Sequence, residues 1–196
     1  MVAYAKLHYA FVSNFRSHIA MWPSWTEVVE WYWGVLCDAA KDGASVALHH
    51  DDDDDMVMYP YRWIVLSLRL LHATLDRWQR NRPAGTMFAG ASGAQFELQM
   101  VDVLLKTYLR LTPTDLERWQ AHPEQFAIEE DQGDDELDIR PAATELMRAL
   151  SRHSFRSGKG AAPEVPNVSD YMWMQFEASA QWPLTLEGVL AREVVY

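Results

Sequence analysis

Apolar positions recur along this chain with a spacing close to 3.6 residues, and the clearest run is Tyr59 to Arg80. At ~100° per residue, Trp63, Ile64, Val65, Leu66, Leu68, Leu70, Leu71 and Leu75 cover well over half of the helix circumference. Arg62, Arg69, His72 and Asp76 occupy the remaining strip. A helix apolar over so wide an arc touches neighbours on two sides, as in a layered helical stack. Ala3 to Met21 has mixed helical spacing and is broken by Trp22-Pro23. Ser24 stands three residues before Glu27, a capping box that opens a helix reaching about Lys41, with Asp42-Gly43 as its stop. Gln95 to Arg110 is amphipathic through Phe96, Val101, Leu104, Leu105, Tyr108 and Leu109.

Next comes a short capped helix. Thr112 is its cap, Pro113 fits the first position, Asp115 completes the box and Leu111 can staple to Leu116. It ends between Trp119 and His122, before Pro123. Arg140-Pro141 begins a further helix to about Phe155, and Tyr171 to Gln181 and Leu186 to Tyr196 are two more. Three segments read as connections: an acidic loop at 43–58, a second acidic loop at 129–138, and a Gly/Pro/Ala linker at 157–170. Residues 81–93 also read as a loop. No alternating strand pattern is visible, so the expected fold is all-α. Paired helices follow one another at a spacing compatible with a HEAT period of ~40 to 47 residues, stretched by insertions. Met1 leads directly into helix and Tyr196 ends inside an amphipathic pattern, which predicts a piece of a longer chain, residues 1–196 being one HEAT-repeat segment.

Composition narrows the chemistry. Hydrophobic residues make up 49% of the 196, enough for a core, and nine Trp and eight Tyr can fill it or enrich an interface. Asp and Glu outnumber Lys and Arg by 28 to 17, a net charge of -11. That disfavours phosphate tracking along nucleic acid and favours basic partners. The one cysteine, Cys37, allows no internal disulfide and reads as a small buried hydrophobe. No apolar run approaches the ~20 residues of a membrane span.

Two acidic runs could carry chemistry. His49-His50 followed by Asp51 to Asp55 has metal-ligating residue types, but lacks the defined spacing and supporting shell of a structural site. A solvated loop is the plainer reading. The second run is Glu129, Glu130, Asp131, Asp134, Asp135, Glu136 and Asp138. It does not match the twelve-residue calcium loop. Its two readings are a solvated loop and an electrostatic contact for a basic partner. No nucleophile elbow and no phosphate-binding glycine loop occurs. Trp119 and Phe126 flank the turn at His122-Pro123 and are the expected buried anchors of the acidic loop, together with Arg140 and Pro141.

Several residues together carry a resemblance. They are Leu111-Thr112, Asp115-Leu116 with Trp119, Pro123-Glu124 with Phe126, Glu129-Glu130, and Arg140-Pro141 with Thr144-Glu145-Leu146. This stretch resembles the importin-β (karyopherin-β) family of nuclear transport receptors, in particular the branch called importin eleven in animals and its fungal counterparts. Ala191 to Tyr196 also looks like a helix of that family. His122 and Val194 depart from it, since an acidic and a small residue are more usual there. The resemblance implies a HEAT-repeat α-solenoid and a receptor shuttling between cytoplasm and nucleus. The partners it implies are Ran-GTP, basic protein cargo and phenylalanine-glycine nucleoporins. It implies no catalytic residue, cofactor, metal, nucleic-acid contact or membrane insertion. The family's main Ran-binding element has no match here, which places the segment in the middle of a receptor. Two other expectations stand beside this one: a HEAT scaffold without a transport role, and a metal-dependent enzyme using the His49 to Asp55 loop.

Overall fold

A computed structural model describes residues 2–14, 22, 24–41, 61–81, 90–132, 138–157, 166–182, 185 and 188. Side chains at 76–81, 90–94, 113–114, 129–132 and 153–157 lie outside that description. The described helices are α1 (Val2–Asn14), α2 (Trp25–Lys41), α3 (Tyr61–Asn81), α4 (Gly90–Val103), α5 (Pro113–Ala121), α6 (Pro123–Gln132), α7 (Ile139–Ser157) and α8 (Val168–Ser179). A π-helical turn, Leu104–Tyr108, continues α4 and closes with Leu109 N–H donating to the Leu104 carbonyl at 2.9 Å. The described residues contain no strand, and no described helix is long and apolar enough to cross a membrane.

Helix α3 shows why the chain stacks. Its residues Trp63, Ile64, Val65, Leu68, Leu70, Leu71 and Leu75 are all buried. Burial around so much of one helix requires more than one partner, and α3 packs on α1, α2 and α7. Ser67 sits inside this arc, satisfied by donating to the Trp63 carbonyl at 2.7 Å.

The packing resolves into two layers. One runs α1, α3, α7, each helix against the next. The other runs α2, α4, α8. There, Tyr108 Oη donates to the Leu36 carbonyl at 2.6 Å, Trp33 meets Phe96 edge-on at 5.8 Å, and Tyr171 Oη donates to Asp102 at 2.7 Å. Contacts of α2 with α3, α4 with α7 and α7 with α8 join the layers. The helix pairs are therefore α2/α3 and α4/α7, and α5 and α6 are inserted within the second pair. This is the helical solenoid expected from the sequence.

Some boundaries differ. Helix α4 begins at Gly90, so residues 90–93 are not loop. Two glycines weaken a helix by ~1 kcal/mol each, a penalty that tertiary packing of the same helix offsets. The 157–170 linker is shorter than its composition implies, because Ser157 belongs to α7 and Val168 to Asp170 open α8. Asn167 caps α8 by accepting from Asp170 N–H at 2.9 Å, and Val168 is buried. The 43–58 loop, with His49 to Asp55, and the Leu186 to Tyr196 helix lie outside the described residues, apart from Gly188.

Cys37 is half-buried, and burial pushes its thiol above the ordinary range, which suits an inert packing group. Burial also pushes Tyr32 up to about 12 and raises Tyr108. Tyr171 is pushed up to about 12 by burial first and then by its bond to Asp102. A tyrosine whose folded pKa lies above its unfolded value favours folding fully below the unfolded pKa. That contribution disappears as pH rises through the folded one. The melting temperature should therefore show no tyrosine-linked loss up to pH ~10 and fall between ~10 and ~12. Melting curves across that window, read with tyrosinate absorbance, check this. Tyrosines that ionise at their ordinary pH without loss of structure would contradict it.

Candidate partner-binding site

The insertion between α4 and α7 begins with the cap of α5. Thr112 Oγ1 accepts from Asp115 N–H at 3.1 Å, and Thr112 N–H donates back to Asp115 Oδ2 at 2.8 Å. Both halves of the box predicted by Thr112-Pro113-x-Asp115 are thus present. The same Asp115 Oδ2 takes a bond from Arg140 Nη2 at 2.6 Å, across 25 residues of chain. Both side chains are mostly shielded, at 19% and 16% exposure, which strengthens the pair relative to one on the open surface. Asp115 therefore starts α5 and also clamps it to the beginning of α7.

A second clamp lies beside the first. Tyr61 Oη donates to Asp138 Oδ1 at 2.6 Å and accepts from Ile139 N–H at 3.1 Å. This fixes the start of α7 against the start of α3. Asp138 was expected among the free carboxylates of the acidic loop. Instead it is held by a tyrosine and precedes α7 directly, so it serves the fold.

The acidic run itself is not all loop. Glu129, Glu130 and Asp131 lie on α6, which continues to Gln132. Pro123 starts that helix with Glu124 in the first turn, and no breaker follows until Gly133. Asp134, Asp135 and Glu136 lie outside the described residues. Between 113 and 138 the chain carries ten carboxylates against one arginine, Arg118, so the insertion is strongly negative.

Its apolar residues also differ from expectation. Trp119 is not a buried anchor: 51% of it is exposed, and Ile128 is 53% exposed. Phe126 is only half-buried, as are Leu116 and Pro141. The reason is size. Helices of nine and ten residues that pack chiefly on each other cannot enclose an indole. Arg140 is the anchor that the structure retains, through Asp115. Of the other described tryptophans, Trp25, Trp33 and Trp63 are buried, whereas Trp22, Trp31 and Trp173 are exposed, Trp31 with its ring 5.6 Å from Trp63. Sequence reasoning assigned Asp115 only a capping role and missed its pairing with Arg140, a contact that local spacing does not encode.

The hairpin of α5 and α6 is thus an acidic projection with an exposed Trp and Ile, fixed at its base by two polar clamps. Such an element can capture a basic segment.

No protein-family model matches the sequence, and no curated protein matches it. The fold is similar to part of a solved structure described as that of Lph2, a novel bidirectional nuclear transport receptor in S. cerevisiae. The TM-score is 0.68 at 21% identity, and the match covers 98% of this chain and 19% of that one. The chain therefore spans about a fifth of that receptor's length, and at this identity the likeness is one of fold.

Proposed function

We propose that this chain is a solenoid segment of an importin-β-type nuclear transport receptor, of the importin-eleven-like branch. Its work is binding, not catalysis. It takes part in holding basic cargo and responding to Ran-GTP, in a receptor that passes phenylalanine-glycine nucleoporins and shuttles between nucleus and cytoplasm. The observation that carries this reading is the likeness of nearly the whole chain to one stretch of a nuclear transport receptor. The acidic insertion within the α4/α7 pair supports it, because a negative projection on a stack of helices suits a basic partner. A solenoid also suits conformational coupling, since small rotations between neighbouring repeats add along the stack.

The test is binding of a basic cargo peptide to the protein, with Ran loaded with a non-hydrolysable GTP analogue or with GDP. Ran-GTP should change cargo affinity by roughly 5- to 150-fold, the ordinary range of coupling between two sites, and Ran-GDP should not. Equal affinity in both nucleotide states would favour a HEAT scaffold without a transport role.

A further inference from the structure

Helix α8 carries a second aromatic and acidic surface, far in sequence from the hairpin. Its inner side holds it to the stack: Val168 and Ser179 are buried, Tyr171 and Met172 pack partly against the core, and Tyr171 bonds to Asp102. Asp170, Trp173, Met174 and Glu177 follow the 3-4-7 spacing of one helix face, and all four are exposed. Trp173 is 60% and Met174 54% exposed, so the solvent side of α8 carries large apolar groups.

The indole of Trp173 is not loose. Phe176 stacks on it with centroids 5.2 Å apart and planes at 26°, and its Nε1–H donates to Glu177 Oε1 at 2.9 Å. Phe176 thus backs the ring, 60% of Trp173 remains exposed, and a carboxylate lies at the ring edge. Asp170 accepts from Asn167 Nδ2 at 2.7 Å, a bond within the helix cap. Neither Asp170 nor Glu177 meets a cation among the described residues. The sequence explains why: between Lys159 and Arg192 there is no Lys or Arg, while Glu164, Asp170, Glu177 and Glu187 fall in that interval.

We propose that this face of α8 docks an arginine-bearing segment of a partner protein. The guanidinium lies on the exposed indole of Trp173 and donates to the remaining oxygen of Glu177, and a neighbouring aliphatic side chain rests on Met174. Charge complementarity selects this occupant. An arginine can stack on an indole and pair with a carboxylate at once, because its donors are planar and its hydration is weak. An uncharged apolar segment would cover Trp173 and Met174 but strip water from Asp170 and Glu177 with nothing in return.

The experiment is a titration of the isotopically labelled protein with a short peptide alternating arginine and leucine, read at the Trp173 indole N–H. That signal is identified as the one lost in Trp173→Phe. The peptide should shift it saturably, and the same peptide with citrulline for arginine should not. Glu177→Gln should weaken the shift-derived affinity by about threefold and flatten its salt dependence, and Trp173→Ala, followed at the backbone amide of Glu177, should weaken binding to this face by about tenfold. The shift should persist when Glu129, Glu130, Asp134, Asp135 and Glu136 are replaced by amides, which separates this site from the hairpin. Three results would each overturn the proposal: an unmoved Trp173 signal, an equal shift with citrulline, or a shift abolished by the hairpin substitutions alone.

Discussion

Trp63→Ala should lower the stability of the folded chain by about 3 to 5 kcal/mol, and Trp119→Ala should leave it within about 0.5 kcal/mol of the parent. The two residues share a side chain and differ in surroundings. Trp63 is 2% exposed on the helix that packs on α1, α2 and α7, so truncation opens a cavity in the core. Trp119 is 51% exposed on a projecting hairpin, so truncation leaves no comparable void. For a chain of this length the first change corresponds to a fall in melting temperature on the order of 10 °C. Equal losses from both substitutions, in calorimetric melting, would place Trp119 in the core.

Arg140→Ala should be the second large effect, about 2 to 3 kcal/mol. It removes a charge-assisted bond of 2.6 Å and leaves Asp115 mostly shielded without that partner. Asp115 still caps α5 through Thr112, so the local helix survives while its attachment to α7 loosens. Protease cleavage should then appear first between α4 and α7. Asp115→Asn keeps the size of the capping side chain and loses the charge, and should give the smaller loss of the two. A stability unchanged by Arg140→Ala would mean that the pair contributes no more than an exposed one.

The features legible in the sequence were local or periodic. The apolar arc of α3 announced several neighbours, and the α1, α2 and α7 contacts supply them. The Thr112-Pro113-x-Asp115 box was readable because each part acts within four residues. Carboxylates obscured α6. Glu129 to Asp131 weighed toward loop by composition, whereas Pro123 at the first position and the distance to Gly133 favoured helix. Asn167-x-x-Asp170 caps α8, yet it stands at the end of a Gly/Pro/Ala stretch that read as linker. The candidate site was legible in charge but not in geometry. Whether Trp119 is buried depends on what packs over it, and no residue near Asp115 signals that Arg140 will reach it.

The proposed capture of a basic partner by the acidic insertion rests on charge. Glu129, Glu130, Asp134, Asp135 and Glu136 account for five of the seven carboxylates in 129–138, where no Lys or Arg intervenes. Replacing those five by Gln and Asn keeps their size and removes their charge. At low salt, where the Debye length reaches ~30 Å, such charges act mainly on the rate of encounter. Rapid-mixing association of the protein with Ran-GTP and with a basic cargo peptide reads that rate. Association should slow by about tenfold with a shallower salt dependence, and the melting temperature should stay unchanged if these charges face solvent, where they contribute little to stability. Association rates unaltered at low salt would contradict the proposed capture and leave the acidic run as solvated surface.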